Sequence, residues 1–218
     1  MNEKETVNDT LQILKKHFHN ERKTTLNRLR VEKDPFKILI GCIVSINIKD
    51  EVTEKILEAL FLRIKNFGDI IAIPTEELEE MLYLARYRRV KAATLKSISR
   101  EIIERFNGRV PSTKEELLSI KGIGGKTANV VLNFAYDLPY IPVDSNTVRI
   151  TNRLGWIATD KNEEVEKLLV ENLESNFLKE ANALFMLHGT TICVPVSPFC
   201  SRCPVERICR KIDIKNER

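Results

Sequence analysis

Apolar residues recur at three- and four-residue spacing along most of this 218-residue chain, the period of an amphipathic α-helix. Residues 8–18, 34–48, 50–67, 75–85, 90–106, 114–120 and 126–136 all carry the pattern. No stretch alternates strictly enough to predict a strand. Breaks are expected at Asp34-Pro35, Gly68, Pro74, Gly108 with Pro111, and Pro139 with Pro142, because glycine and proline interrupt helices. Pro111, then Ser112 and Glu115 three residues apart, predict a capping box opening a short helix that carries Leu117, Leu118 and Ile120. There is no internal repeat or low-complexity linker, so composition marks no domain boundary.

With 43% hydrophobic and 30% charged residues, the composition is that of an ordinary soluble globular protein. No run of apolar residues is long enough to span a membrane, and the start MNEKETVNDTLQILKKHF is too charged for a secretory leader. A cytoplasmic protein without membrane association is expected. A formal charge of +4 leans only slightly towards polyanionic partners.

The stretch KGIGGKTANV, residues 121–130, raises the question of phosphate binding. An NTPase loop would require glycine at position 120, which is Ile120. The glycines instead join one helix to the next. Gly122, Gly124 and Gly125 would present successive backbone N–H groups at a helix start, where the dipole favours an anion; a plain tight turn is the other reading. Lys126 follows directly, and Asp144 lies beyond the next helix in IPVDSNTVRITNRLGW. A Lys/Asp pair suggests an amine nucleophile with a carboxylate helper.

Cys193, Cys200, Cys203 and Cys209 stand at C-x6-C-x2-C-x5-C. Disulfides suit a chain without a secretion signal poorly. Four-cysteine zinc sites usually pair two distant C-x2-C units, whereas several short gaps in one segment, with Pro204 after the third cysteine, favour a [4Fe-4S] cluster. Cys42, in ILIGCIV, reads as a buried small hydrophobe.

The segment LLSIKGIGGKTANVVLNFAYDLPYIPVDSNTVRITNRLG, taken with the cysteine spacing, closely resembles the endonuclease III group of the helix-hairpin-helix DNA glycosylase superfamily. The resemblance runs from about Asp34 to Cys209. It implies an all-α, two-lobed helix-hairpin-helix DNA glycosylase fold. A six-helix lobe, residues 28–137, would contain the hairpin; residues 1–27 and 138–218 would form a second lobe holding the iron-sulfur cluster on the four cysteines. A substrate nucleotide would be swung out of damaged double-stranded DNA. Lys126 matches the nucleophile of the bifunctional members, which remove oxidised pyrimidines and then cleave the strand by β-elimination, and Asp144 would stabilise positive charge at the sugar or shuttle protons.

Several positions depart from the family pattern. Val143-Asp144-Ser145-Asn146 stands where Val-Asp-Thr-His is common. Asn146 is similar to mismatch-directed thymine/uracil glycosylases of the same superfamily, the alternative function, while Lys126 favours the lyase. A non-catalytic DNA-binding scaffold is disfavoured by Lys126 and Asp144. Asn47 replaces the glutamine that fills the gap left by the flipped nucleotide, and Tyr87 occupies the place of an apolar residue inserted on the opposite strand. Arg86, Arg88, Arg89 and Lys91 form a basic run beside Tyr87. VPVSPF, between the first two cysteines, is poor in basic residues, so Arg202 would carry more of the phosphate contact there. His188 reads as a structural hydrogen-bonder near the cluster, and His17 and His19 as ordinary surface or packing residues. A monomer is expected.

Overall fold

The computed structural model describes residues 3–19 and 24–218, and every described regular element is helical. In chain order these are α1 (Glu3–His17), α2 (Thr25–Glu32), α3 (Pro35–Ser45), α4 (Asp50–Arg63), α5 (Phe67–Ala72), α6 (Thr75–Met81), α7 (Arg88–Phe106), α8 (Lys114–Leu118), α9 (Gly125–Tyr136), α10 (Ser145–Leu154), α11 (Asn162–Asn172), α12 (Ser175–Leu178) and α13 (Ala181–Thr191). Two 3-10 turns follow, Cys200–Arg202 and Glu206–Ile208. Among the described residues no helix is long and apolar enough to cross a membrane. The chain forms two compact units, Lys23–Leu138 and Met1–Arg22 with Pro139–Arg218.

In the Lys23–Leu138 unit, α3 is the central helix. Phe36, Ile38, Leu39, Ile40, Gly41, Cys42, Ile43 and Val44 are all buried, so no face is left for water, and α2, α4, α7 and α9 pack around it. Burying each large aliphatic side chain contributes about 1.5–3 kcal/mol before entropy is counted. The helix starts where the sequence predicts: Pro35 occupies the first turn, and Asp34 Oδ1 accepts the N–H groups of Phe36 at 2.9 Å and Lys37 at 3.2 Å. Gly41 is required by close approach, since a Cβ there would come within 2.9 Å of Leu29 on α2.

Two expected boundaries move. Gly68 is not a break; it lies in the first turn of α5, and the interruption falls at 64–66. Asn66 caps α5 and forms a reciprocal box with Asp69, which offsets the roughly 1 kcal/mol cost of a helical glycine. The cap of α8 is Thr113, not Ser112: its Oγ1 accepts the Glu116 N–H at 3.3 Å and donates to Glu116 Oε2 at 2.8 Å. This one-residue shift buries Leu117 and Ile120 and leaves Leu118 outside.

The second unit has its own core, in which Val7, Leu11 and Leu14 of α1 meet Ile150 and Leu154 of α10, Val165 and Leu169 of α11, and Leu184 and Phe185 of α13. Asn8 pins α1 to the end of α11, donating from Nδ2 to Asn172 O at 2.9 Å while its Oδ1 accepts the Glu174 N–H at 2.9 Å.

Candidate active site

The α8–α9 connection is built on two buried isoleucines, Ile120 and Ile123, with the Ile123 N–H donating to Ile120 O at 3.1 Å. Between them Gly122 adopts φ +101°, a conformation that only glycine takes without strain, and an added Cβ would lie 3.2 Å from Thr94. Gly124 and Gly125 differ. Both are exposed, and a Cβ on either would meet nothing within 4 Å. Among the described residues no neighbour requires glycine at these two places. What they leave bare is the start of α9, where Gly124 is the N-cap and supplies no side chain to satisfy the first N–H groups. Lys126 is exposed in that same first turn. Its charge is felt by Cys42 on α3, whose thiol burial pushes up to about 12 against the smaller opposing pull of the lysine.

Asp144 belongs to the other unit and is the N-cap of α10. Buried Ile141 and Val143 anchor the strand-like approach. Asp144 Oδ1 accepts the N–H groups of Asn146 at 3.0 Å and Thr147 at 3.1 Å and the Thr147 hydroxyl at 3.2 Å, so the carboxylate is oriented by three donors. Asn146 faces α13: its Oδ1 accepts Arg149 Nη2 at 2.9 Å, and a Cβ on Gly189 would fall 2.7 Å from that oxygen.

Asn47 sits exposed at the tip of the α3–α4 turn with φ 59°, and Tyr87, 55% exposed with φ 60°, directly precedes α7. Arg86 stacks on the Tyr87 ring at 4.8 Å, and Arg86, Arg88 and Arg89 are exposed beside it. Lys91 does not share this surface. It is buried, with Nζ donating to Ile46 O at 2.6 Å and Ile43 O at 3.0 Å, because one helical turn beyond Tyr87 the side chain points towards α3 rather than out.

Cys193, Cys200, Cys203 and Cys209 all line one cavity, with Ile150, Leu154, Ile192 and Val205 as apolar walls. Burial pushes the Cys203 thiol up to about 12 and that of Cys200 to about 11, and the neighbouring sulfurs add to the effect at both. Thiolates at Cys200 and Cys203 are therefore costly here unless a cationic centre binds them, and four cysteines on one cavity are the donor set of a metal or iron-sulfur group. Donors already point at the sulfurs: Arg153 Nη1 lies 3.4 Å from Cys193 Sγ, and the Lys211 N–H lies 3.4 Å from Cys209 Sγ. His188, buried, stands 3.8 Å from Cys203 Sγ through Nε2, and burial lowers its pKa to about 4, so its ring is neutral at pH 7.

Two arginines missed by sequence reasoning hold this loop to α10. Arg153 donates to Val194 O at 2.8 Å and Pro195 O at 2.7 Å, and Arg149 to Cys193 O at 3.1 Å and Gly189 O at 2.9 Å. Their signal was present: two arginines at i and i+4, with Arg153 on the face that buries Ile150 and Leu154. Arg202 is exposed and its guanidinium lies 4.0 Å from the Phe199 ring centroid; that of Arg218 lies at the same distance. Both guanidinium groups thus pack against the same ring.

Residues 40–175 match the family model described as HhH-GPD superfamily base excision DNA repair protein. Endonuclease III of Thermotoga maritima is 36% identical over 178 residues, covering 82% of this chain and 84% of that protein. A solved structure of a trapped endonuclease III–DNA covalent intermediate superposes with a TM-score of 0.82 at 30% identity, over 97% of each chain. A thermostable thymine-DNA glycosylase shares the fold, with a TM-score of 0.84 at 23% identity over 94% of this chain and 95% of that one. The hairpin glycines, the capped aspartate and the cysteine cavity thus stand in a chain that belongs to the HhH-GPD superfamily of base excision DNA repair proteins, within its endonuclease III family.

Proposed function

We propose that Lys126 is the Schiff-base nucleophile with which this chain removes oxidised pyrimidines from damaged duplex DNA. The chain is a base-excision DNA glycosylase with AP lyase activity, and it binds DNA. The observation that carries the assignment to Lys126 is its exposed amine in the first turn of α9, beside two glycines that leave open space at the helix start. Those bare N–H groups suit a DNA phosphate and would set the amine against a flipped nucleotide. The amine attacks C1′ as the glycosidic bond breaks, and the base departs with the electron pair and takes up a proton lost by the attacking amine; the C1′–O4′ bond then opens, O4′ gaining a proton from solvent, to leave an iminium at C1′. The resulting iminium acidifies C2′; loss of that proton and breakage of the C3′–O bond release the 3′ phosphate. Asp144, oriented by its three donors, would stabilise positive charge at the sugar. The endonuclease III relative caught as a covalent intermediate with DNA supports this chemistry.

Cys193, Cys200, Cys203 and Cys209 would hold a [4Fe-4S] cluster, which supplies a covalent tie for a segment with little core of its own. Four cysteines around one cavity, with N–H donors directed at two sulfurs, favour this reading. Cys203→Ser should lose brown visible absorbance; a colourless, zinc-loaded wild type would refute the cluster.

Borohydride trapping tests the function. A covalent adduct with a thymine glycol duplex, absent in Lys126→Gln, is expected. No adduct, with alkali-revealed base loss at a G·T mismatch instead, would move the chain to mismatch repair.

A further inference from the structure

The α7 helix carries two buried lysines, Lys91 and Lys96, and the catalytic reading uses neither. Both ammonium groups serve as caps at the C-terminal ends of other helices, where unpaired carbonyls and the dipole favour a cation. Lys96 Nζ donates to Ile71 O, at 3.2 Å, and to Ile73 O, closing α5. Lys91 Nζ closes α3 through Ile43 O and Ile46 O. The difference lies in what each cap adjoins.

Ile46 is the residue before Asn47, and the turn offers Asn47 little other restraint: the next backbone link is Ile48 N–H to Ser45 O at 3.2 Å. The backbone N–H of Lys91 donates to Tyr87 O at 3.0 Å. Lys91 therefore ties the carbonyl just before Asn47 to the first turn of α7, which Tyr87 opens; the backbone bond is the ordinary helical one, and the side-chain bond is the particular contribution of lysine. A non-glycine residue at positive φ is held by its surroundings, and the buried ammonium of Lys91, 6% exposed as a residue, fixes the Ile46 carbonyl from which the Asn47 turn starts. Burial lowers the pKa of this ammonium, a cost borne for a contact that a methionine of similar length would not make.

We propose that Lys91 is a positioning residue that fixes Asn47 relative to Tyr87, so that the two exposed side chains enter the duplex together when a nucleotide is flipped. This rests on the DNA roles given above to Asn47 and Tyr87. Without the ammonium, the Ile46 carbonyl would turn to water and the Asn47 tip would sample other conformations, and misplacement of about 1 Å is worth on the order of a hundredfold in rate.

The test is a double-mutant cycle on single-turnover base excision from a thymine glycol duplex, with cluster-loaded protein and melting temperatures recorded for every variant. Lys91→Met should slow excision about ten- to a hundredfold. In an Asn47→Ala background it should slow it less than about twofold further, because the group it positions is gone. Lys96→Met, which loses the equivalent cap elsewhere, should lower the melting temperature without slowing excision. The proposal is overturned if Lys91→Met excises like wild type, if its loss multiplies fully with that of Asn47→Ala, or if Lys96→Met slows excision equally. Should Lys91→Met fail to fold, Lys91→Gln, which retains a donor on a shorter arm, takes its place in the same cycle. Borohydride trapping through Lys126 reports separately on the catalytic assignment, so its loss and a null cycle are distinguishable.

Discussion

Asp144 Oδ1 accepts the backbone N–H of Thr147 at 3.1 Å, making the proposed catalytic carboxylate also the N-cap of α10. Structure and chemistry share one atom, and substitution can separate them. Asparagine caps a helix as well as aspartate, whereas alanine costs about 0.5–2 kcal/mol. Asp144→Asn should therefore melt like wild type yet lose about 10²–10³ in base-excision rate, the scale of removing one electrostatic stabiliser. Asp144→Ala should lose both. An active Asp144→Asn enzyme would show that the carboxylate serves only as a cap.

The hairpin glycines divide in the same way. Gly122→Ala meets φ +101° and a 3.2 Å contact to Thr94, and should destabilise the protein by about 1–2 kcal/mol. Gly124→Ala and Gly125→Ala enter open space and should leave the melting temperature unchanged or slightly raised. Their effect belongs to DNA: a methyl group at the α9 start should weaken duplex binding. Equal affinity for Gly124→Ala and wild type would remove the phosphate from that helix start.

These distinctions also mark what the sequence could tell. The glycines, Lys126 and the cysteine spacing are legible because their chemistry is local; a few residues define the turn, the helix start and the clustered thiols. Lys91 was misread because a basic run says nothing about rotation of the helix carrying it. Arg86, Arg88 and Arg89 stay in solvent while the next basic residue turns inward. The α10 helix differs: its apolar positions are well segregated, but segregation does not reveal that Thr147, Thr151 and Arg153 are buried beside Ile150 and Leu154. Its partners are carbonyls some 40 residues away, a relationship no window contains.

Cys42 gives a pH dependence. Burial pushes its thiol up to about 12 from an ordinary value of 9.0. Between those values the folded state keeps a proton that the unfolded state has lost. Stability must therefore fall as pH rises through that window, by up to about 1.4 kcal/mol per pH unit. Cys42→Ala removes the thiol, so its alkaline stability curve should be shallower above pH 9, although a cavity makes it less stable at pH 7. Parallel curves for the two proteins between pH 8 and 11 would refute the assignment.

The packing of both Arg202 and Arg218 on Phe199 predicts a salt dependence. Each guanidinium is held by the ring and by one carbonyl, Arg202 by Thr191 O at 3.2 Å and Arg218 by Ser197 O at 2.9 Å. Among the described residues neither forms an ion pair with a carboxylate, which favours phosphate as the partner of both charges. The loop VPVSPF supplies no basic residue of its own, and Arg218, folded back onto it, would compensate. Each phosphate contact adds about 0.9 to the magnitude of the slope of log affinity against log salt. Arg202→Gln and Arg218→Gln should each lower the slope by that amount and spare lyase activity at saturating DNA. Phe199→Leu keeps both charges but removes the platform, so it should weaken binding while leaving most of the slope in place. An unchanged slope in both arginine variants would place the DNA path away from the cysteine loop.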